Sequence, residues 1–117
     1  MTDRELLELA AKAAGVILKP IQINNVTKQG DDRFIGYIAE CDQWARVWFN
    51  PLTNDGDALR LAVRLKIDVA HTNIHAPQVH ALADAKVQVW EEIKDDPNAA
   101  TRRAIVRAAA EIERNMK

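Results

Sequence analysis

Segments with a helical spacing of apolar residues alternate along the chain with strand-like segments and predict three helices. Apolar side chains recur every three to four positions within residues 2–14, 55–65 and 97–115, which is the period of a helix with one buried face. In the second helix this pattern predicts that Leu61 is buried, and in the third it predicts an inner face of Thr101, Ile105, Ala108 and Ile112.

Residues typical of helix ends stand at the borders of these three segments. Thr2 and Glu5 have the spacing of a capping box, and Gly15 follows the first helix, where a left-handed residue commonly ends one. Asn54 and Asp96 precede the second and third helices and are predicted to be their N-caps.

Between the helices, β-branched and alternating residues predict strands. The predicted strands are residues 16–26, 33–40, 44–49, 67–72 and 85–93. The first three form an antiparallel meander, and Pro20 places the first strand at an edge or in a bulge because proline donates no ladder hydrogen bond. Within residues 73–84, Val79 to Leu82 are compatible with either a short strand or a turn of helix.

The resulting order, α-β-β-β-α-β-β-α, predicts a single α+β domain spanning residues 1–117. Residues 44–49 carry apolar side chains on both faces, which suggests layers above and below the sheet. We therefore expect a three-layer α/β/α sandwich, with three helices and a mainly antiparallel sheet of four to five strands. A two-layer α+β fold is the main alternative.

The composition argues against some classes of function but does not identify one. The chain has 48% hydrophobic and 28% charged residues and a formal net charge of −1, so it has no general attraction for nucleic acid. Its single cysteine, Cys41, fits a reducing cytoplasm. The absence of a long apolar run predicts no membrane contact.

Three histidines, His71, His75 and His80, lie close together in sequence and raise the question of a metal site. Histidines four residues apart converge on a metal ion only when they lie on a continuous helix, and Pro77 with the preceding strand pattern opposes one. We therefore expect no bound metal. The chain also shows no catalytic triad, paired acid and base or phosphate-binding loop, so we expect no catalytic residues and no cofactor.

Two further groups are candidate binding surfaces. Trp44, Arg46 and Trp48 share one strand face, which suits a stacking platform, although two tryptophans beneath a helical layer are more often core residues with Arg46 at the rim.

The last helix is the second candidate, because residues 97–117 have a net charge of +3, with Arg103, Arg107 and Arg114 near one helix face. Glu111 follows Arg107 by four positions and is expected to pair with it, which favours a solvated helix face over nucleic-acid binding.

Three segments resemble one protein family. Residues 48–63 are similar to a signature containing W-N-P-L and D-G-D-A-L-R-L-A-V, and residues 5–15 and 100–112 are similar to the opening and C-terminal helices of the same family. The family comprises small proteins of tailed phages and prophages described as the phage ABA sandwich domain. The resemblance implies a three-layer fold but no activity. Phe49 interrupts the usual Trp-Asn-Pro run, and Asn54 replaces an acidic residue.

Together these observations predict a phage- or prophage-encoded accessory protein that acts in the host cytoplasm. It is expected to be a protein-binding module without catalytic activity, with a phage or host protein as partner and self-association into a homo-oligomer left open. The alternative is a weak nucleic-acid-binding protein that uses the basic last helix.

Overall fold

Three helices and six strands make up the described part of the chain. The computed structural model describes residues 2–25, 31–40, 47–72, 77–84 and 87–115. In chain order the elements are α1 (Asp3–Ala14), β1 (Ile17–Asn25), β2 (Asp31–Glu40), β3 (Val47–Phe49), α2 (Asp55–Leu65), β4 (Asp68–Thr72), β5 (Gln78–Asp84), β6 (Val87–Glu92) and α3 (Pro97–Asn115). The predicted α+β class and the three helices are confirmed.

The predicted helix caps form as expected. At the start of α1, the Thr2 hydroxyl accepts a hydrogen bond from the Glu5 amide at 3.2 Å, and the Glu5 carboxylate accepts one from the Thr2 amide at 3.2 Å. Gly15 ends α1 in the left-handed conformation with φ of 73°, where a Cβ would be strained. At the start of α3, the Asp96 carboxylate accepts hydrogen bonds from the amides of the second and third helical residues.

The strands form two antiparallel sheets, where the sequence predicted one sheet of four to five strands. The first has the order β1-β2-β3 and the second β4-β5-β6. Strands joined by short connections pair with each other, whereas α2 separates β3 from β4, and these two strands do not pair in the described residues. In place of the predicted single sheet, the structure has two three-stranded meanders, one before and one after α2 in the chain.

Two details of strand prediction are also settled. β1 lies at the edge of its sheet, and its register with β2 shifts between Ile21 and Gln22, next to Pro20. This confirms the expected position of a proline that cannot donate to a ladder. The segment from Val79 to Leu82 is part of β5, so the strand alternative was correct there.

The core is built around α3, which packs against α1, α2, β5 and β6. Ala104, Ala108 and Ala109 are fully buried, and their small side chains let α3 approach its neighbours closely. The predicted inner face was too narrow. Val106 and Ala110, which lie outside the predicted face, are also buried, whereas Thr101 and Ile112 within it are only half-buried.

The second sheet has one buried and one open face. Residues Val79, Ala81 and Val89 are buried, whereas His80 and Trp90, which are neighbours across the β5–β6 pair, lie on the opposite face. The Trp90 side chain remains 48% exposed there. Within the described residues, no helix is both long and apolar enough to cross a membrane.

Candidate functional site

The Asn-Pro segment between β3 and α2 forms a hydrogen-bonded turn with few open polar groups. The Asn50 side-chain oxygen accepts from the Leu52 amide at 3.2 Å, and the Asn50 carbonyl accepts from the Asn54 amide at 2.9 Å. Asn54 caps α2 by accepting from the Asp57 amide at 2.9 Å, as predicted. Pro51 is fully buried. These residues determine how the strand turns into the helix.

Asp57 holds this turn to α2. Its carboxylate accepts hydrogen bonds from the Asn50 amide at 2.9 Å and from the Arg60 guanidinium at 2.5 Å. Asp57 is 3% exposed, and no other charged residue in the described part of the chain is buried. An acid at this position is expected to be favourable near the positive end of the helix dipole, but nothing local in the sequence shows that its carboxylate reaches back to Asn50. Asn50, Asn54 and Asp57, in the segment 48–63 that resembles a family signature, therefore have a structural role.

A cleft of about 380 Å³ lies between α1, β6 and α3. We call it the arginine cleft, and its described lining consists of Leu6, Val87, Gln88, Val89, Arg103, Arg107, Glu111 and Arg114. The three arginines are spaced four and seven residues apart on α3, which aligns them along one side of the helix. The structure thus brings together three of the four arginines that the sequence singled out.

Each arginine of the cleft is paired with a carboxylate of the same chain. Arg103 lies 3.1 Å from Asp3 of α1 and 3.8 Å from Glu91 of β6. Arg107 pairs with Glu91 as well and donates to the Trp90 carbonyl oxygen at 3.2 Å. These contacts join α3 to α1 and to β6.

The remaining pair corrects a prediction. Arg114 pairs with Glu111 at 3.0 Å, whereas the sequence predicted that Glu111 would pair with Arg107. Arg107 instead reaches β6, because α3 packs against the sheet and a strand carboxylate is within reach of its side chain. The Arg103 and Arg107 side chains are 41% and 42% exposed, so both are partly hydrated.

Arg102 plays a different role from its neighbours in the cleft. Its side chain is only 15% exposed, and it donates to the Leu52 carbonyl at 2.8 Å and to the Asp55 carboxylate at 2.5 Å. It therefore fastens α3 to the start of α2, and its charge is not available to a ligand.

The two histidines that the structure describes, His71 and His80, do not converge. His71 contacts Thr101 of α3 through Nε2 and Oγ1 at 3.0 Å, whereas His80 stacks on Trp90 with ring centroids 3.9 Å apart. Because β4 and β5 pair with His71 opposite Val79 and Ala70 opposite His80, the two histidines lie on opposite faces of the sheet. His75 is outside the described residues. In the parts of the chain that the structure describes, no three potential ligands lie close enough to hold a metal ion.

Cys41, Trp44 and Arg46 also lie outside the described residues, and so does the side chain of Trp48. The predicted stacking platform and the contribution of Arg46 to a binding surface consequently stay predictions.

Comparison with known proteins gives no match: no protein-family model, curated protein or solved structure is detectably similar to this chain. The resemblance to the phage ABA sandwich domain therefore stays a prediction from the three sequence segments.

Proposed function

We propose that this chain is a non-catalytic protein-binding module of a phage or prophage and that its arginine cleft binds an acidic segment of a phage or host protein. The observation that carries the proposal is the alignment of Arg103, Arg107 and Arg114 along one cleft of about 380 Å³. The planar guanidinium group matches a carboxylate through two parallel hydrogen bonds, which makes arginine well suited to acidic ligands.

The internal ion pairs show how such a ligand would be held. Asp3 is 67% exposed at its side chain, so its pair with Arg103 contributes little to stability and is easily exchanged. A carboxylate of a partner can take the place of Asp3 without leaving a buried charge unpaired. Leu6 and Val89, both largely buried, form the apolar floor of the same cleft, against which the stem of the incoming side chain can pack.

The alternative is a weak nucleic-acid contact through the same arginines, and the charges around the cleft oppose it. Phosphate binding draws its affinity from cations that attract the nucleic-acid backbone and release its counterions. Here Asp3, Glu91 and Glu111 already balance the three arginines, so the cleft can exchange one carboxylate for another but has no excess positive charge with which to attract a phosphate backbone. The acidic loop at Asp95 and Asp96 adds further repulsion near the start of α3.

Binding of defined probes distinguishes these functions. We expect a fluorescent glutamate-rich peptide to bind the parent chain more tightly than its glutamine counterpart, and the double change Arg103→Ala, Arg107→Ala to abolish the difference. Arg4→Ala is a matched control, because Arg4 forms an exposed pair with Glu8 on α1 and is not part of the described cleft lining.

The same variants test the alternative. Salt-dependent binding of DNA or RNA that both cleft changes remove would favour nucleic acid, with the salt slope falling by about one unit per lost phosphate contact. If neither probe distinguishes the parent from the double variant, the arginine cleft is not the binding site.

Two finer points belong to the same proposal. The three-layer α/β/α arrangement is proposed from the element order and from the family resemblance, and an experimental structure of the whole chain tests it. Action in the host cytoplasm and the identity of the partner are tested by capture with a tagged chain from lysogenic cells, comparing the parent with the Arg103→Ala, Arg107→Ala variant.

A further inference from the structure

The carboxylates that pair with the cleft arginines differ in how open they are to a competing ligand. The side chains of Asp3 and Glu111 are 67% and 42% exposed, whereas that of Glu91 is 19% exposed. Exposed pairs are weak, because both charges are well hydrated when they separate. Asp3 and Glu111 are therefore the carboxylates that an acidic ligand can replace most readily.

Glu91 is held by contacts to two arginines at once. Its Oε2 accepts from Nη1 of Arg107, and its Oε1 lies 3.8 Å from Nε of Arg103. The same Arg107 nitrogen donates to the Trp90 carbonyl oxygen at 3.2 Å. A ligand in the place of Glu91 would have to replace all these contacts together. Glu91 is consequently the last of the three carboxylates to exchange, and it keeps Arg107 directed towards β6.

The two open ion pairs lie towards opposite ends of the cleft. Arg103 and Arg114 are eleven positions apart on α3, which corresponds to about three turns, so they project from the same side of the helix. At the rise of an α-helix their Cα atoms are about 16 Å apart along the axis. Arg107, which lies between them, is occupied by Glu91. A ligand therefore meets two available guanidinium groups whose backbone positions have a defined separation.

We propose that the arginine cleft recognises two carboxylates of one partner segment about 16 Å apart, one bound by Arg103 in place of Asp3 and the other by Arg114 in place of Glu111. This inference rests on the proposed binding of an acidic segment and adds the spacing that the segment must have. Because both carboxylates belong to one ligand, the second contact forms at a high effective concentration.

The internal carboxylates give the cleft its selectivity. A ligand with one carboxylate displaces one internal acid and gains little, because one ion pair replaces another of the same kind. A ligand with two correctly spaced carboxylates displaces both Asp3 and Glu111 but loses its freedom of motion only once. Competition with these two residues thus favours a segment with a pair of acids over a segment with an isolated acid.

Oligoproline peptides with blocked ends can measure the preferred spacing. The polyproline II helix is stiff, rises about 3.1 Å per residue and has three residues per turn. Two glutamates separated by two, five or eleven prolines therefore lie on the same side of this helix, about 9, 19 and 37 Å apart. We expect the five-proline peptide to bind the parent chain about fivefold more tightly than the other two, since flexible arginine side chains accommodate its small excess in length.

NMR titrations measure these affinities and identify the contacts. The side-chain signals of Arg103 and Arg114 should shift more than those of Arg107 when the five-proline peptide binds. Arg103→Ala and Arg114→Ala should each remove the spacing preference, so that the three peptides bind alike. Arg4→Ala is the matched control and should keep the preference, because Arg4 is on α1 and is not part of the described cleft lining.

The internal competitors are tested by a second variant. Asp3→Asn combined with Glu111→Gln should tighten the binding of all three peptides, because the neutral side chains no longer compete for the arginines.

The outcomes separate this inference from the proposed function. Equal affinities of the three peptides for the parent chain overturn the two-carboxylate rule, and the proposed function still stands if each peptide binds more tightly than its glutamine counterpart. Absence of binding by every glutamate peptide overturns both. A preference for the five-proline peptide that persists in Arg114→Ala also overturns the inference, because the second contact would then lie elsewhere.

Discussion

The β3–α2 junction and the arginine cleft are both rich in polar groups, but their partners come from different distances along the chain. At the junction, every hydrogen bond that Asn50, Asn54 and Asp57 make with one another spans seven residues or fewer. In the cleft, Arg107 pairs with Glu91 across 16 residues and Arg103 pairs with Asp3 across 100, while the Arg114–Glu111 pair is local.

The two regions also differ in burial, and this difference indicates their roles. Asp57 is removed from solvent, so loss of its partners would leave a buried charge unsatisfied. The cleft arginines are partly hydrated and their ion pairs can exchange with those of a ligand at little cost. Burial thus marks the structural groups, Asp57 and Arg102, whereas partial exposure marks the arginines of the candidate binding site.

The largest expected effect on stability comes from a core residue of α2. Leu61→Ala should lower the free energy of unfolding by about 2–5 kcal/mol, because it removes a fully buried side chain at the centre of the inward face of α2. Leu59→Ala, two positions earlier but exposed, should change it by less than about 0.5 kcal/mol in dilute solution. Urea melts that superimpose for Leu61→Ala and the parent would show that this face is assigned wrongly.

The next effect separates the junction from the cleft. Asp57→Asn should cost about 1–3 kcal/mol, since the amide keeps the shape of the side chain but weakens its hydrogen bonds to Asn50 and Arg60. Asp3→Asn makes the same chemical change in an exposed pair of the cleft and should cost less than about 1 kcal/mol. Equal losses in chemical denaturation would contradict the distinction between the two regions.

A smaller effect is expected from the cleft itself. The double change Arg103→Ala, Arg107→Ala should leave the melting temperature close to that of the parent, because half-exposed ion pairs contribute little to folding. Loss of the folded state in circular dichroism would instead make these arginines structural, as Arg102 is.

The smallest effect concerns the capping box. The Glu5 carboxylate accepts hydrogen bonds from the Thr2 amide and the Thr2 hydroxyl, and these lower the pKa of Glu5 below its ordinary value. The bond from the amide has the larger effect. The contribution of the ionised carboxylate is therefore present above the unfolded-state pKa and is lost as the pH falls through the folded-state pKa.

Glu5→Gln keeps an acceptor for the box but does not titrate, so it should flatten the pH dependence of stability in this acidic window. Glu5→Ala removes both the acceptor and the titration. An NMR titration in which Glu5 of the folded chain has the same pKa as in an unfolded peptide would refute the assignment.

The local elements of this protein could be predicted from sequence. Thr2, Asn54 and Asp96 cap the helices as their positions indicate, Gly15 ends α1, and the strand alternation at Val87 and Val89 gives the buried face of β6. Each of these features depends on atoms within a few residues of each other, so the order of residue types is sufficient to specify it.

Tertiary structure decided the features that depend on which segments meet. The strands divide into two sheets, α3 is buried on several sides, and Arg107 pairs with Glu91 rather than with Glu111. The apolar pattern of a helix shows which side is buried but not how many neighbouring elements cover it. A charged side chain pairs with an opposite charge that is near in space, and the sequence does not show which one that is. The sequence by itself therefore determined the elements and their ends, and the packing of α3 against α1 and β6 determined the cleft.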